Sequence, residues 1–346
     1  MAVVNIMHWN IETYGPAKYK NANNQNFINY IAELVSAYDV EIFCMVEVKN
    51  STSLLVPGKL ADALNAKEML DDDDNPWRYV RVNSGYNSEA YIIMYRIDRD
   101  FLPIDLALKT GPKVIPEHGL GMFSKTGPIQ FPSRMTAKSG RRPFYAMFKT
   151  TDSNKIFSVI SYHAMFGAFT PKGVQTLASL DAITEFSDGT PINGSAISGD
   201  FNVDFNVDRF YYNNILALPT YQATNQMTSL KNNPNDSTVP ADFLANAYDN
   251  IFQTTNLAVP TGYVVDLLVE SSNVPAPLGA PPAAQAKLGF LSPFAGAYSL
   301  AALNHYLARI ITPIVAVPPV DMNTAWDFVR ETISNHYPVV TQAVFN

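Results

Sequence analysis

Asp200 and Asn202 stand two residues apart in the string Ser198-Gly199-Asp200-Phe201-Asn202, just past the apolar run Ser195-Ala196-Ile197. In an extended segment, residues i and i+2 point to one side, so the pair would offer a carboxylate and an amide to one small volume. That combination suits a hard divalent cation and a phosphate oxygen. Gly199 is read as the residue that lets the backbone turn closely there. The same string also describes an Asx turn, so its chemistry depends on what else converges on it. Polar residues do recur at the ends of other apolar stretches: Asn10, Glu47, Glu89, His163, Asp249, and Asn335 with His336. Each alone has an ordinary explanation, as a turn residue, a solvated strand end or a hydrogen-bonded histidine. Their repetition carries more weight, because the carboxyl ends of strands in open α/β sheets form binding crevices.

Strands are needed to deliver these residues. Val3 to Trp9 alternates loosely and reads as a strand ending at Asn10 and Glu12. Phe27, Tyr30, Ile31, Leu34, Val35 and Tyr38 recur in steps of three and one, the stripe of an amphipathic helix, with Asn26 as its cap. Asp39 to Val46 is a nearly continuous apolar strand ending at Glu47-Val48-Lys49. Strand, helix, strand in that order predicts an α/β unit. A short helix follows at Leu60 to Leu64, then strands at Trp77 to Val82, Ala90 to Tyr95, Phe144 to Phe148 and Ile156 to Tyr162. A helix over 174–183 precedes the strand that ends at Asp200. Later strands are expected at Ala247 to Phe252, at Tyr263 to Val269 and at Val344-Phe345, with a helix over 325–333. Residues 97–142 form a long Pro/Gly-rich segment that reads as a functional loop or elaborated edge. Residues 271–320 are rich in Pro, Ala and Leu and read as a covering subdomain, or else as a lipid- or partner-facing loop around Phe290-Phe294. No repeat and no charged linker divides the chain, so residues 1–346 are expected to form one domain.

Composition sets limits. The chain is 47% hydrophobic, enough for a globular core, and its net charge is −7. That balance argues against a protein that coats nucleic acid through a basic face, but not against an enzyme that meets a phosphodiester through metal ions and a few cations. One cysteine, Cys44, excludes an intrachain disulfide. The first residues, Met1-Ala2-Val3-Val4-Asn5-Ile6, have neither a basic region nor a long apolar run. A cytosolic protein, a bacterial protein exported without a cleaved signal, or a mature chain whose signal has been removed fits this equally.

Several of these pieces together resemble the endonuclease/exonuclease/phosphatase superfamily, and within it the deoxyribonuclease I-like nucleases. They are Trp9-Asn10-Ile11-Glu12-Thr13-Tyr14-Gly15, Val46-Glu47-Val48-Lys49, Glu89 through Arg96, Arg142-Pro143, Tyr162-His163-Ala164, Ser198 through Asn202, Ala247 through Ile251, and Ile333-Ser334-Asn335-His336-Tyr337-Pro338-Val339. They occur in the family's order over almost the whole chain. The resemblance implies an α/β four-layer sandwich, with two mixed β-sheets face to face, helices outside and the active site at one rim. It implies a Mg2+ site at Glu47 and Asn10, with Mn2+ or Ca2+ as alternatives, and Asp200, Asn202 and Asn335 near the attacking water, the phosphate and a second cation. It implies that His163 and His336 flank the scissile phosphate, oriented by Glu89 and Asp249, and that Lys49, Arg142 and Asn202 meet substrate.

That set makes chemical sense for a phosphodiester, whose oxygens repel a nucleophile: a cation and an imidazolium neutralise the charge, and two histidines supply base and acid. An all-oxygen ligand set fits Mg2+ rather than zinc. The chain departs from the family at three places. Asn335 stands where the family has an aspartate, Glu12 where deoxyribonuclease I has an arginine that meets phosphate, and Asn87 where it has a groove-reading tyrosine. The expectation is a monomeric DNA endonuclease of low sequence preference. The alternatives are a sphingomyelinase-like phosphodiesterase acting on membrane lipid and an inactive relative.

Overall fold

The computed structural model of the protein describes residues 2–15, 24–68, 75–84, 88–103, 114–115, 120–122, 141, 143–165, 174–175, 192–217, 221–222, 226–231, 244–254, 262–265, 330 and 334–345. Its first sheet is built from β1 (Ala2–Tyr14), β2 (Ile42–Lys49), β3 (Trp77–Asn83), β4 (Glu89–Arg96), β13 (Gly262–Val264) and β14 (Val339–Phe345), in the order β13-β14-β1-β2-β4-β3. The second runs β11-β12-β10-β9-β8-β7-β6, with β5 paired to β8. Its strands are β5 (Phe101–Pro103), β6 (Val114–Ile115), β7 (Leu120–Met122), β8 (Phe144–Thr150), β9 (Ile156–His163), β10 (Gly194–Asp200), β11 (Tyr221–Gln222) and β12 (Asp249–Thr254). Both sheets mix parallel and antiparallel pairs: β1 runs parallel to β2 and antiparallel to β14, and β10 runs parallel to β9 and antiparallel to β12. With helices outside, this is a four-layer α/β sandwich.

The core lies between the sheets and under the helices. Phe148 of β8 meets Tyr95 edge-on at 5.4 Å and Phe101 at 5.5 Å, and stacks on Phe157 at 5.4 Å. Truncating such a buried ring costs about 3–5 kcal/mol. Strand alternation sorts β1. Trp9 turns outward to Phe27 of α1 (Asn24–Ala37), whereas His8 and Asn10 reach acids of the second sheet. A second apolar cluster covers the outer face of the second sheet, where Phe201, Phe205, Tyr212, Ile215 and Phe252 pack together. Tyr212 belongs to a 3-10 turn, Arg209–Tyr212, that leads into α3 (Asn213–Leu216). Cys44 is fully buried, and burial pushes its thiol up to about 12, so it is an inert packing residue.

Pairing register brings the polar residues abreast. In the second sheet Asp200 pairs with His163 on one side and Asp249 on the other. In the first, Asn10 pairs with Val46 and Lys49 with Glu89, while His8 faces Val339, the first residue after the Ser334–Pro338 segment. Seven strands, β1, β2, β4, β9, β10, β12 and β14, thus contribute to one rim.

Some elements differ from expectation. β1 continues to Tyr14 through an irregularity that sequence alternation does not reveal. α1 begins at Asn24, which puts Asn26 inside the helix rather than at its cap. α2 runs Val56–Glu68, well beyond the apolar Leu60–Leu64 centre. Residues 97–142 contribute the short strands β5, β6 and β7. The 271–320 segment, most of the helices expected at 174–183 and 325–333, and the end of the strand expected over Tyr263 to Val269 lie outside the described residues. Among the described residues no helix is long and apolar enough to cross a membrane.

Candidate active site

Two bulges shape the first-sheet half of the rim. Pairing between β1 and β2 shifts register between Asn10 and Tyr14, and pairing between β2 and β4 shifts between Met45 and Val48. Within these bulges Glu12, Thr13 and Glu47 have φ of 41, 48 and 61°. Such left-handed backbone at a non-glycine residue costs on the order of 1–3 kcal/mol and collects at functional sites, and a bulge re-aims a side chain. Glu47 is turned inward as a result. Its Oε2 accepts from the backbone N–H of Thr13 at 3.0 Å and from its hydroxyl at 3.1 Å. Its Oε1 accepts from Asn10 Nδ2 at 3.1 Å.

Asn10 does not present its oxygen to this space. Nδ2 also donates to Asp200 Oδ2 at 2.8 Å, while Oδ1 accepts from the Glu12 N–H at 3.0 Å. The expected metal ligand is therefore, as placed, a donor bridge that ties an acid of one sheet to an acid of the other. Two like charges sharing one donor are held closer than either would choose.

Asp200 is the last residue of β10 and is buried. Gly199 lies inside the strand, where an added Cβ would collide with the Tyr162 carbonyl of β9. Its smallness serves close strand approach, not the turn assigned to it from sequence. The chain leaves the strand immediately after Asp200. Asn202 has φ 51°, donates its backbone N–H to Asp200 Oδ1 at 2.9 Å and gives its Nδ2 to the Ala164 carbonyl at 3.0 Å. This is the Asx turn. The extended i, i+2 geometry does not occur, and Asn202 here holds the chain just past His163, the last residue of β9.

Two histidine–carboxylate pairs complete the centre. His336 Nδ1 lies 2.7 Å from Asp249 Oδ2, leaving Nε2 3.9 Å from Asp200 Oδ2. His163 Nδ1 lies 3.5 Å from Glu89 Oε2, and its Nε2 is 3.5 Å from Glu47 and 3.6 Å from Asp200. The Ser334–Tyr337 segment is stitched in place. Ser334 Oγ donates to the Asn10 carbonyl, Trp9 Nε1 donates to the His336 carbonyl, and the Asn335 N–H donates to Glu12 Oε2 at 3.2 Å.

Charge is unevenly shared. Burial works against the charge on Glu47, but His163, the Asn10 hydrogen bond and His336 outweigh it and hold the carboxyl at about 2. Burial likewise opposes Asp249, and His336 and His8 hold it well below the usual carboxylate range. Against its own burial, His336 is pushed up to about 10 by Asp249 and Asp200. Burial opposes Glu89 too, and His163 and Arg141 keep it low. Arg141 Nη2 at 2.8 Å and Lys49 Nζ at 3.2 Å both serve Glu89. Among the described residues no lysine or arginine forms an ion pair with Glu47 or Asp200.

The donors suit a hard cation. Glu47, His163 and Asp200 offer ligand atoms within 4.8 Å of one another, as do Asp200, Asp249 and His336. Asn335 Oδ1 is buried without a hydrogen-bond partner among the described residues. Carboxylate and amide oxygens are what Mg2+ takes.

No family model matches the sequence, and no curated protein matches it either. Solved structures do. An endonuclease/exonuclease/phosphatase family protein from Bacteroides thetaiotaomicron is 16% identical, covers 100% of this chain and 98% of its own, and has a TM-score of 0.55. A mannosyl-6-phosphatase from B. thetaiotaomicron VPI-5482 is 16% identical over 99% of this chain and 100% of its own, also at 0.55. A family protein from Bacteroides vulgatus is 14% identical over the full length of both chains, at 0.51. The chain has the fold of the endonuclease/exonuclease/phosphatase superfamily.

Of the residues singled out in the sequence, Asn10, Glu47, Glu89, His163, Asp200, Asp249, Asn335 and His336 meet at this rim. Lys49 is turned onto Glu89, and Arg142 lies outside the described residues. Its neighbour Arg141, not singled out in the sequence, is in the site, buried, with Nη1 2.9 Å from His163 Nε2. Thr228, whose hydroxyl donates to Asp249 Oδ2 at 2.9 Å, carried no signal in the sequence at all.

Proposed function

We propose that this chain is a divalent-cation-dependent phosphoester hydrolase that cuts phosphodiester bonds in DNA with little sequence preference. The observation that carries the reading is the meeting of two histidine–carboxylate pairs on an acid pair, Glu47 and Asp200, that lacks a lysine or arginine partner among the described residues. Glu47 and Asp200, with the amide oxygen of Asn335, would hold Mg2+, which when bound supplies positive charge to the phosphate. The chain's own residues supply the proton chemistry. Asp200 accepts the proton of the water that attacks phosphorus. As the bond to the leaving oxygen breaks, that oxygen takes a proton from His336 Nε2. Asp249 keeps the His336 proton on Nδ1 and the ring aimed at Asp200. His163, between Glu89 and Arg141, places a second imidazole against the phosphoryl oxygens. Incubation of the pure protein with supercoiled plasmid and Mg2+ tests this. Nicking that stops on chelation is expected, and no nicking at any concentration with Mg2+ or Mn2+ overturns it.

One observation favours a second reading, a phosphomonoesterase. The Glu12 carboxylate sits beside Asn335 at the mouth. A negative charge there repels the neighbouring phosphates of a polyanion and accepts hydrogen bonds from hydroxyls, as a sugar phosphate would offer. One protein of this fold is a mannosyl-6-phosphatase. Release of inorganic phosphate from mannose 6-phosphate without plasmid nicking would select this reading. The lipid alternative draws on the acidic net charge, the altered DNA-contact positions and the apolar residues 290–294, and these last lie outside the described residues.

A further inference from the structure

His8 takes no part in the chemistry above, yet it is a histidine with no exposure, set on the face of β1 that looks across to the second sheet. Its strand neighbours are Cys44 on β2 and Val339 on β14. A buried imidazole in apolar company calls for a polar partner. The polar group it meets is the carboxylate of Asp249, whose Oδ1 lies 3.3 Å from His8 Nε2 with neither side chain exposed. The contact is looser than a well-formed hydrogen bond, and neither His8 nitrogen nor Asp249 Oδ1 has a better partner among the described residues.

The two oxygens of Asp249 are therefore divided between two tasks. Oδ2 accepts from Thr228 at 2.9 Å and faces His336 at 2.7 Å, on the side of the active site. Oδ1 faces back into the core, where His8 is the group placed to donate to it. A carboxylate anchored through one oxygen can still pivot about that anchor. A donor on the other oxygen fixes its plane, and with it the direction of the His336 ring.

We propose that His8 is a positioning residue of the active site, an imidazole whose Nε2–H faces Asp249 Oδ1 and so sets the aim of His336. The line His8–Asp249–His336 crosses from the inter-sheet core to the rim. Parity makes the placement inevitable once β1 is extended, since His8 lies two residues before Asn10 and shares its face. An aliphatic residue at this position would pack equally well and leave Oδ1 without a donor.

The role rests on the site being a phosphoester hydrolase, but its test does not. In the wild-type protein, nitrogen-detected NMR of the His8 ring reports which nitrogen carries the proton. Nε2–H is expected, and a proton on Nδ1 alone overturns the proposal even if no variant folds and no substrate is turned over. The low-field His336 Nδ1 proton, assigned by its disappearance in His336→Gln, is expected to shift in His8→Leu and return in His8→Gln, which keeps a donor at the same reach. With bis(p-nitrophenyl) phosphate and Mg2+, His8→Leu should lower kcat by about 10–100-fold, the scale of a small misplacement of a reacting group, with KM nearly unchanged. His8→Gln should recover most of the loss. A folded His8→Leu with wild-type kcat and an unmoved His336 proton, or a His8→Gln no better than His8→Leu, contradicts the role. A wild-type protein that hydrolyses no phosphoester yet shows the expected tautomer and proton shift sinks the functional reading and leaves the positioning of His336 standing.

Discussion

The two ends of the sandwich carry the same residue types and use them in opposite ways. At the end away from the site, acids and guanidinium groups are matched: Arg96 with Asp98 at 2.6 Å, Arg99 with Asp39 at 2.9 Å and with Glu41 at 3.5 Å. At the other end, Glu47 and Asp200 meet imidazoles, the Asn10 amide, backbone N–H groups and the Thr13 hydroxyl, and no lysine or arginine pairs with them among the described residues. The contrast shows in the carboxyls themselves. Burial raises Glu41 despite Arg99, whereas the two histidines and Asn10 overcome burial and hold Glu47 at about 2. At the far end each acid has a guanidinium partner. At the site end imidazoles and amides hold buried carboxyls ionised against their burial, and buried acids kept charged without a lysine or arginine partner suit a cation and a phosphate.

The comparison breaks first at Asp200. Asp200→Asn should lower kcat/KM by at least about 10²–10³-fold, the loss seen when one preorganised electrostatic group is removed, while the metal-free protein melts no lower than wild type. Steady-state kinetics and a thermal melt check both halves. His336→Gln should lower kcat by about 10²–10⁴-fold, as expected of a general acid, and kinetics at saturating substrate measures it.

Stability against pH sharpens the contrast. The folded carboxyl of Glu47 lies below its ordinary 4.5, so its contribution is present above 4.5 and lost as pH falls toward 2. His336 is raised above its ordinary 6.5, so its contribution is full below 6.5 and lost as pH rises through about 10. Urea unfolding of the metal-free protein should therefore give a maximum between these limits, and Glu47→Gln should flatten the acid side.

At the mouth, Glu12→Arg should raise plasmid cleavage relative to mannose 6-phosphate hydrolysis by about 3–10-fold at low salt and less at high salt, because the added contacts are screened. The smallest effect belongs to the far end. Arg99→Met removes partly exposed pairs, should cost at most about 1 kcal/mol in chemical denaturation, and should leave activity unchanged.

How much of this is legible in the sequence follows from the kind of signal each part carries. The strands that deliver Glu47 and His163 are largely apolar runs, and burial on both faces makes such runs conspicuous. The bulges are not conspicuous. Nothing in Glu12-Thr13 or in Val46-Glu47-Val48 announces left-handed backbone, yet that backbone is what aims Glu47. Asn202 looks like a partner of Asp200 by spacing, and its turn sends it to Ala164 instead. Arg141 is tied to Glu89, 52 positions away, a contact that no local pattern announces. Thr228 and Glu12 act through contacts with residues 21 and 323 positions away, which local pattern cannot reveal. His8 was open to discovery by parity alone, through its shared face with Asn10.

Calorimetric titration of Mn2+ or Mg2+ into the metal-free protein tests the central claim most directly, because it asks only whether the unmatched end takes a cation. The account predicts saturable binding to wild type that is abolished or strongly weakened in both Glu47→Gln and Asp200→Asn and untouched in Arg99→Met. No binding to the folded wild-type protein, or binding that survives the loss of both acids, would contradict it.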